Sequence, residues 1–375
     1  MKNFIDFLSS LSKLSDRYHL IVPCKTVNEI PADMTEIDLP ASVIEAEHYD
    51  THFSALRASL LNALMVKKLI VNELNRQQQI MVAGPGPNSF LFWLSLIAPA
   101  TTKYAFFIRG NTLKTVHHIY EGTLLHLPAV SAVRLFQERI KQLCRNNRGQ
   151  IFLYGDKLRE LYGNDNDAHV ITPLIDNSML LSKRPKPQMD PTLPRVLFVG
   201  RLSEEKNIFN LIDACILANK RGTPFALTII GHGRLYNKIK SLSDTDQLKS
   251  LINLVGFVPH GNELAKYYDE HDILCLPSRT EGVPRVIVEA LSRGLPVLAT
   301  PVGSIPEIFE NQVVLLNGFN PIDILNGIEW CRSHANDLDA MCESGHQAID
   351  RFLIASNAQK VDGLLNQFLL NTSCN

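Results

Sequence analysis

The sequence predicts an α/β protein of two doubly wound domains, each a parallel sheet covered by helices. Three observations carry that prediction. The chain has 375 residues, more than one hydrophobic core usually holds, so two domains are expected. Short apolar runs alternate with amphipathic stretches from end to end, the rhythm of strands followed by crossover helices. That rhythm pauses at 181–194, where Pro185, Pro187, Pro191 and Pro194 stand among Lys183, Arg184 and Lys186, the composition of an extended spacer.

In the first domain, 1–180, Phe4, Phe7, Leu8, Leu11 and Leu14 recur at helical spacing ahead of a strand at His19–Pro23, and a long helical pattern runs over 53–74. Strands read at Gln79–Ala83, Tyr104–Ile108, Ile151–Tyr154 and His169–Ile171. The second domain, 195–355, shows buried-type apolar runs at Val196–Val199, Ala226–Ile230, Ile252–Val255, Ile273–Leu276, Val297–Ala299 and Val313–Leu315, separated by helix-length segments. A tail, 356–375, is helical in pattern, with Val361, Leu364, Leu365 and Leu369 on one side. Two such domains are expected to face each other across a cleft at the carboxyl ends of their strands, where ligands bind in these sheets.

Composition removes several function classes. With 37 basic against 38 acidic residues, the electrostatic footprint of a nucleic-acid binder is missing. Seven cysteines without a C-x-x-C pair suit a reducing compartment rather than a disulfide scaffold or a zinc site, so a cytoplasmic location is expected. The opening residues do not read as a signal peptide. The most apolar window, 90–108, is broken by Pro99, Thr101, Thr102 and Lys103, too early for a membrane span of about 20 residues.

The strongest chemical signal is Thr280-Glu281-Gly282-Val283-Pro284-Arg285, followed by an apolar helix carrying Glu289 and preceded by the strand ending at Leu276. A tight turn and a proline at the helix start present backbone N–H groups and the positive end of a helix dipole at a strand's carboxyl terminus, a seat for phosphate. Glu289 can accept hydrogen bonds from two vicinal ribose hydroxyls, and Glu281 from a sugar. The competing interpretation makes Glu281 an ordinary turn acid and Glu289 a solvated helix residue. Arg201 and Lys206, in Gly200–Asn207 after the first strand of the domain, can converge on one diphosphate, or belong to a solvated loop in which Glu204 pairs Lys206. Gly231-His232-Gly233-Arg234 reads as a close-approach turn beside the ligand, because it lacks the third glycine of a dinucleotide fingerprint. Gly256-Phe257-Val258-Pro259 ends the next strand, where backbone groups could bracket a nucleobase.

These segments, GRLSEEKN, IIGHGR, LVGFVP, LPSRTEGVPRVIVEA and RGLPVLATPVGSIPEI, resemble the retaining glycosyltransferases of family 4 (group 1), over about 150 residues of the second domain. The resemblance implies the GT-B fold of two Rossmann-like domains and a nucleotide-sugar donor. It also implies that Arg201 and Lys206 neutralise the diphosphate, that Glu289 holds the ribose, and that Glu281 with the amides of Gly282, Val283 and Pro284 orients the sugar. The final helix would cross back to the first domain. Relatives usually carry glycine at the positions of Asn207 and Ser304, and begin with a strand and Gly-rich loop; this sequence reads from its start as the helix that would follow them, so the first domain is expected to lack that strand and loop. Arg109 stands where many have a histidine near the reacting centre; arginine cannot act as a base but can bind an anionic acceptor or the β-phosphate, or form a structural pair.

His117 and His118 could shuttle a proton, and the more common alternative is no catalytic role. The segment Arg134–Arg148 carries Arg139, Lys141 and Arg145 against Glu138, with Leu135, Phe136, Ile140 and Leu143 at helical spacing. It reads either as a solvated face or as a peripheral contact with an anionic inner membrane face bearing a lipid-linked acceptor. The expectation is a metal-independent, retaining hexosyltransferase of polysaccharide or glycoconjugate biosynthesis, needing no cofactor beyond its nucleotide-sugar donor. The alternatives are a non-catalytic nucleotide-sugar-binding subunit and an epimerase of similar shape. Glu289→Ala is expected to spare the fold while weakening donor binding.

Overall fold

The computed structural model describes residues 126–154, 158–162, 168–172, 174–181, 189–245 and 248–370, with shorter stretches before residue 126. Two compact units divide the chain, one of residues 1–172 with 357–375, the other of residues 173–356.

In the first unit, β1 (His19–Cys24) and β2 (Ser42–Glu47) form a separate parallel pair. The strand β2 was not anticipated: Ser-Val-Ile-Glu-Ala-Glu has too few apolar residues to stand out from a loop. A second sheet is ordered β3 (Gln79–Ala83), β4 (Lys103–Ile108), β5 (Gly149–Tyr154), β6 (Ala168–Ile171), all parallel. Every residue of β4 is buried. Its side chains alternate between faces, so Tyr104, Phe106 and Ile108 pack with Phe136, Ile140 and Leu143 of helix α1 (His126–Arg145), while Phe107 stacks on Phe152 at 4.9 Å.

The second unit has six parallel strands: β7 (Arg195–Val199), β8 (Ala226–Ile230), β9 (Ile252–Gly256), β10 (Ile273–Leu276), β11 (Val297–Ala299) and β12 (Val314–Leu315), in the order β12-β11-β10-β7-β8-β9. Helices cover both faces, which is why the inner strands read as largely apolar, buried runs, while the edge strands β9 and β12 are partly exposed. On one face Val196 and Phe198 pack with Leu211, Ile212 and Cys215 of α2 (Ile208–Lys220). On the other, Leu197, Leu274 and Leu276 pack with helices α4 (Asn262–Glu270) and α5 (Arg285–Ser292), while α3 (Tyr236–Ser243) leads into β9.

The unit boundary corrects the expected one. Ile175 and Met179, fully buried, belong to the second unit's core, and Ile175 bridges Leu353 in parallel. The stretch read as the end of the first domain is therefore the start of the second, and half of the proline-rich segment, 182–188, lies outside the described residues. At the other end, α8 (Ile354–Leu370) enters the first unit, after α6 (Pro321–Ser333) and α7 (Ala335–Gln347). There Asn357 accepts the Thr172 N–H at 3.0 Å, and Lys103 Nζ donates to the Phe368 carbonyl at 2.6 Å.

Three glycines hold the loops at the strands' carboxyl ends together. A Cβ on Gly231 (φ +140) would lie 1.8 Å from the Gly200 carbonyl oxygen, one on Gly233 2.4 Å from that of Leu202, and one on Gly303 (φ +63) 2.0 Å from that of Glu281. Gly231→Ala is therefore expected to cost about 2 kcal/mol or more, because backbone cannot yield as a flexible side chain does. Gly222→Ala, at φ +75 with nothing within 4 Å, should cost only the left-handed penalty of about 1 kcal/mol. Denaturant unfolding of the two variants checks the difference; equal costs would contradict it.

Candidate functional site

The strand order of the second unit reverses between β7 and β10, the neighbours from which the chain winds out in opposite directions. In such sheets the loops leaving the two central strands diverge and open a crevice. Here those loops carry Gly200–Asn207 and Ser278–Pro284. Lys206 Nζ and Glu281 Oε1 meet at 2.6 Å, and Ser278 Oγ donates to the same oxygen at 2.6 Å. The Arg279 amide donates to the Glu205 carbonyl at 2.8 Å, so backbone also ties the loops together. Lys206 thus pairs with Glu281 across the reversal, not with Glu204 within its own loop. Arg201 is exposed on that loop.

Asn207 explains one departure from the resembled pattern. Its backbone is left-handed (φ 57, ψ 30) between a short 3-10 turn and α2, a conformation glycine takes freely and asparagine tolerates. Its buried side chain donates to the Phe319 carbonyl at 2.9 Å, a tie glycine would lack.

Pro284 is the N-cap of α5, with Arg285 the first helical residue, so the proline stands one position before the expected place. The first turn of that helix offers the N–H groups that a helix cannot pair internally. Gly282 has nothing within 4 Å of an added Cβ, which leaves its approach open.

Glu289 is not a solvated helix residue: it is 2% exposed. Tyr268 donates its hydroxyl to Oε2 at 2.6 Å, while Arg285 Nε lies 2.5 Å and His260 Nε2 3.2 Å from Oε1. Burial, with the neighbouring Glu289 carboxylate, holds the Tyr268 phenol well above its ordinary range, so it stays a donor. His260 comes from the loop after β9 and Tyr268 from α4. Neither was anticipated, since no local spacing links them to Glu289; the signal available was a tyrosine on the buried face of a helix beside this loop.

Val258 is buried and Phe257 is 74% exposed at the exit of β9. With strands about 4.8 Å apart, that exit lies about 10 Å from the exit of β7, two strands away. Glu289 stands on the helix that follows β10 and is reached by His260 from the loop after β9. Gly231 and Gly233 have the packing role given above, toward the β7 loop.

Among first-unit residues, Arg109 and His118 lie outside the described residues. Exposed His117 meets His126, ring nitrogens 2.8 Å apart. On α1, Phe136, Ile140 and Leu143 are buried but Leu135 is 63% exposed, so it is not on their face as expected. Glu138 pairs with Lys141 at 3.1 Å, Arg139 donates to Gln142, and Arg148 donates to the Thr102 carbonyl. No described helix is long and apolar enough to cross a membrane.

The burial of Glu289 changes the expected effect of removing it. Glu289→Ala should lower stability by about 2 kcal/mol, since a buried hydrogen bond to a charged group is lost, with Arg285 and His260 partly compensated by solvent. Denaturant unfolding measures this; an unchanged midpoint would contradict it.

Comparison with known proteins points to the same region. Residues 182–347 match the family model described as Glycosyl transferases group 1. The chain is 39% identical over 125 residues to the amylovoran biosynthesis glycosyltransferase AmsK of Erwinia amylovora, covering 32% of this chain and 30% of that protein. It spans about a third of the length of the curated relatives it matches. Sucrose-phosphate synthase of Thermosynechococcus elongatus superposes with a TM-score of 0.69 at 16% identity, covering 98% of this chain and 92% of that one. Anabaena HepE in complex with UDP superposes with a TM-score of 0.62 at 15% identity, covering 87% and 86%. Residues 182–347 are thus similar to the glycosyl transferases of group 1, on a chain with the two-domain α/β GT-B fold.

Proposed function

We propose that the protein transfers a hexose from a nucleoside diphosphate sugar to an acceptor hydroxyl, with retention of anomeric configuration and without a required metal. The observation that carries this reading is the Lys206–Glu281 pair at the strand-order reversal, beside the start of α5. The UDP held by HepE supports a nucleotide ligand, and the biosynthetic role in the name of AmsK supports polysaccharide assembly.

In this reading the diphosphate lies between the two loops. Lys206 exchanges its carboxylate partner for phosphate oxygens, Arg201 closes from the same loop, and the first turn of α5 adds its positive dipole. Glu281, released from Lys206 but still held by Ser278, turns its free acceptor sites to the sugar hydroxyls, beside the amides of Gly282, Val283 and Pro284. Glu289 takes the ribose, and the backbone at Phe257 and Val258 brackets the base. The bond between the anomeric carbon and the β-phosphate oxygen breaks while the acceptor oxygen bonds to that carbon on the same face. The acceptor proton passes to the departing diphosphate, whose growing charge the two cations stabilise. Arg109 contributes a cation on the acceptor side. The exposed Leu127, Arg134 and Leu135 of α1 meet the membrane surface that carries a lipid-linked acceptor.

Two outcomes follow. Arg201→Ala and Lys206→Ala should each cut glycoside formation by about 100-fold or more, since their charge counts most as the diphosphate leaves. Product analysis with labelled donors measures this, and near-normal turnover in both variants would reduce the loop to a solvated surface. Donor consumed without a glycoside would indicate an epimerase, and donor bound but not consumed a binding subunit. Turnover should also survive exhaustive chelation, because two side-chain cations and a helix start meet the charge that a divalent ion meets elsewhere. Abolition by EDTA with rescue by manganese or magnesium would contradict that assignment.

A further inference from the structure

We propose that Tyr268 is a positioning residue for the nucleotide's ribose, acting through Glu289. The inference rests on the reading of Glu289 as the ribose acceptor and adds to it the group that fixes where that carboxylate points.

The partners of Glu289 differ between its two oxygens. On Oε2 stands the Tyr268 hydroxyl at 2.6 Å, from a side chain that is 1% exposed and packed in the core under α4 and α5. On Oε1 stand Arg285 and His260, with 27% and 22% of their side chains exposed. One oxygen is held by a hydroxyl on a fully buried ring; the other is covered by side chains that are only partly buried, though their contacting nitrogens are enclosed. A carboxylate offers roughly four acceptor sites. An arriving ribose can displace these less deeply packed partners from Oε1 and use the remaining site on Oε2, while Tyr268 keeps the carboxylate plane fixed. Without that hydroxyl, the last torsion of Glu289 is broad and roughly two-fold, and Arg285, only one helical turn away, can draw the whole carboxylate toward itself.

The test uses the full chain and calorimetry with whichever of UDP, GDP and ADP binds most tightly, together with its 2′,3′-dideoxy counterpart. Wild type should prefer the ribonucleotide about tenfold or more. Tyr268→Phe keeps the ring and removes the hydroxyl. It should weaken ribonucleotide binding about tenfold while the dideoxy affinity stays within about twofold, erasing most of the preference. A purely structural role would lower the melting temperature and leave the preference intact, which would overturn the inference while the ribose reading stands. Absence of a preference in wild type, or of binding by all three nucleotides, would overturn the ribose reading itself and the inference with it. Tyr268→Met gives a second apolar replacement; if neither variant folds, Tyr268 is a core residue and the inference falls.

Discussion

The reversal of strand order between β7 and β10 is the constraint on which the rest of the second unit depends. Parallel strands wound in one direction send each exit loop over the next strand; where the winding changes direction, two exit loops part and leave backbone accessible. Opposite charges from those two loops, Lys206 and Glu281, meet at 2.6 Å with little solvent around the carboxylate. Such a pair is weak evidence of stabilisation, because each ion gives up hydration to form it. In the proposed function its meaning lies in exchange: a diphosphate takes the lysine, and the released carboxylate accepts hydroxyls.

The surroundings are built so that these loops approach as bare backbone. Gly231, Gly233 and Gly303 each stand where a Cβ would run into a neighbouring loop's carbonyl group. The Thr300 hydroxyl, fully buried, donates to the Ser278 carbonyl, and Ser278 in turn donates to Glu281. The β11 exit therefore steers Glu281 through one intermediate. Asn207 does the corresponding work for Lys206, holding a left-handed turn while its side chain fastens the loop to the Phe319 carbonyl.

How much of this was legible in the sequence follows from the physics of each part. The inner strands of the second unit, β7, β8, β10 and β11, were legible because strands buried on both faces are apolar runs, and the partly exposed edge strands β9 and β12 still carry enough apolar residues to follow that rhythm. The loop motifs were legible because they directly follow those runs. The environment of Glu289 was not: Tyr268 stands 21 residues away and His260 29 residues away on separate elements, and only the packing of α4 on α5 brings them together. A carboxylate near a helix start reads as solvated until that packing is known. In the same way Leu135 shares a helical repeat with Phe136 yet points to solvent, since adjacent residues diverge by about 100° around a helix. The boundary at 172/173 was missed because Leu174, Ile175 and Met179 are apolar enough to continue the preceding strand, whereas their contacts lie with Leu353 and Ser292.

The central claim is that a nucleoside diphosphate is held where the strand order reverses. Crystals of the full chain soaked in turn with UDP, GDP and ADP test it most directly. The account predicts difference density for a diphosphate within hydrogen-bond reach of Lys206 Nζ and the first turn of α5, with the ribose against Glu289 and the Lys206–Glu281 contact broken. Nucleotide density at another place, or a Lys206–Glu281 pair left intact beside a bound diphosphate, would contradict it.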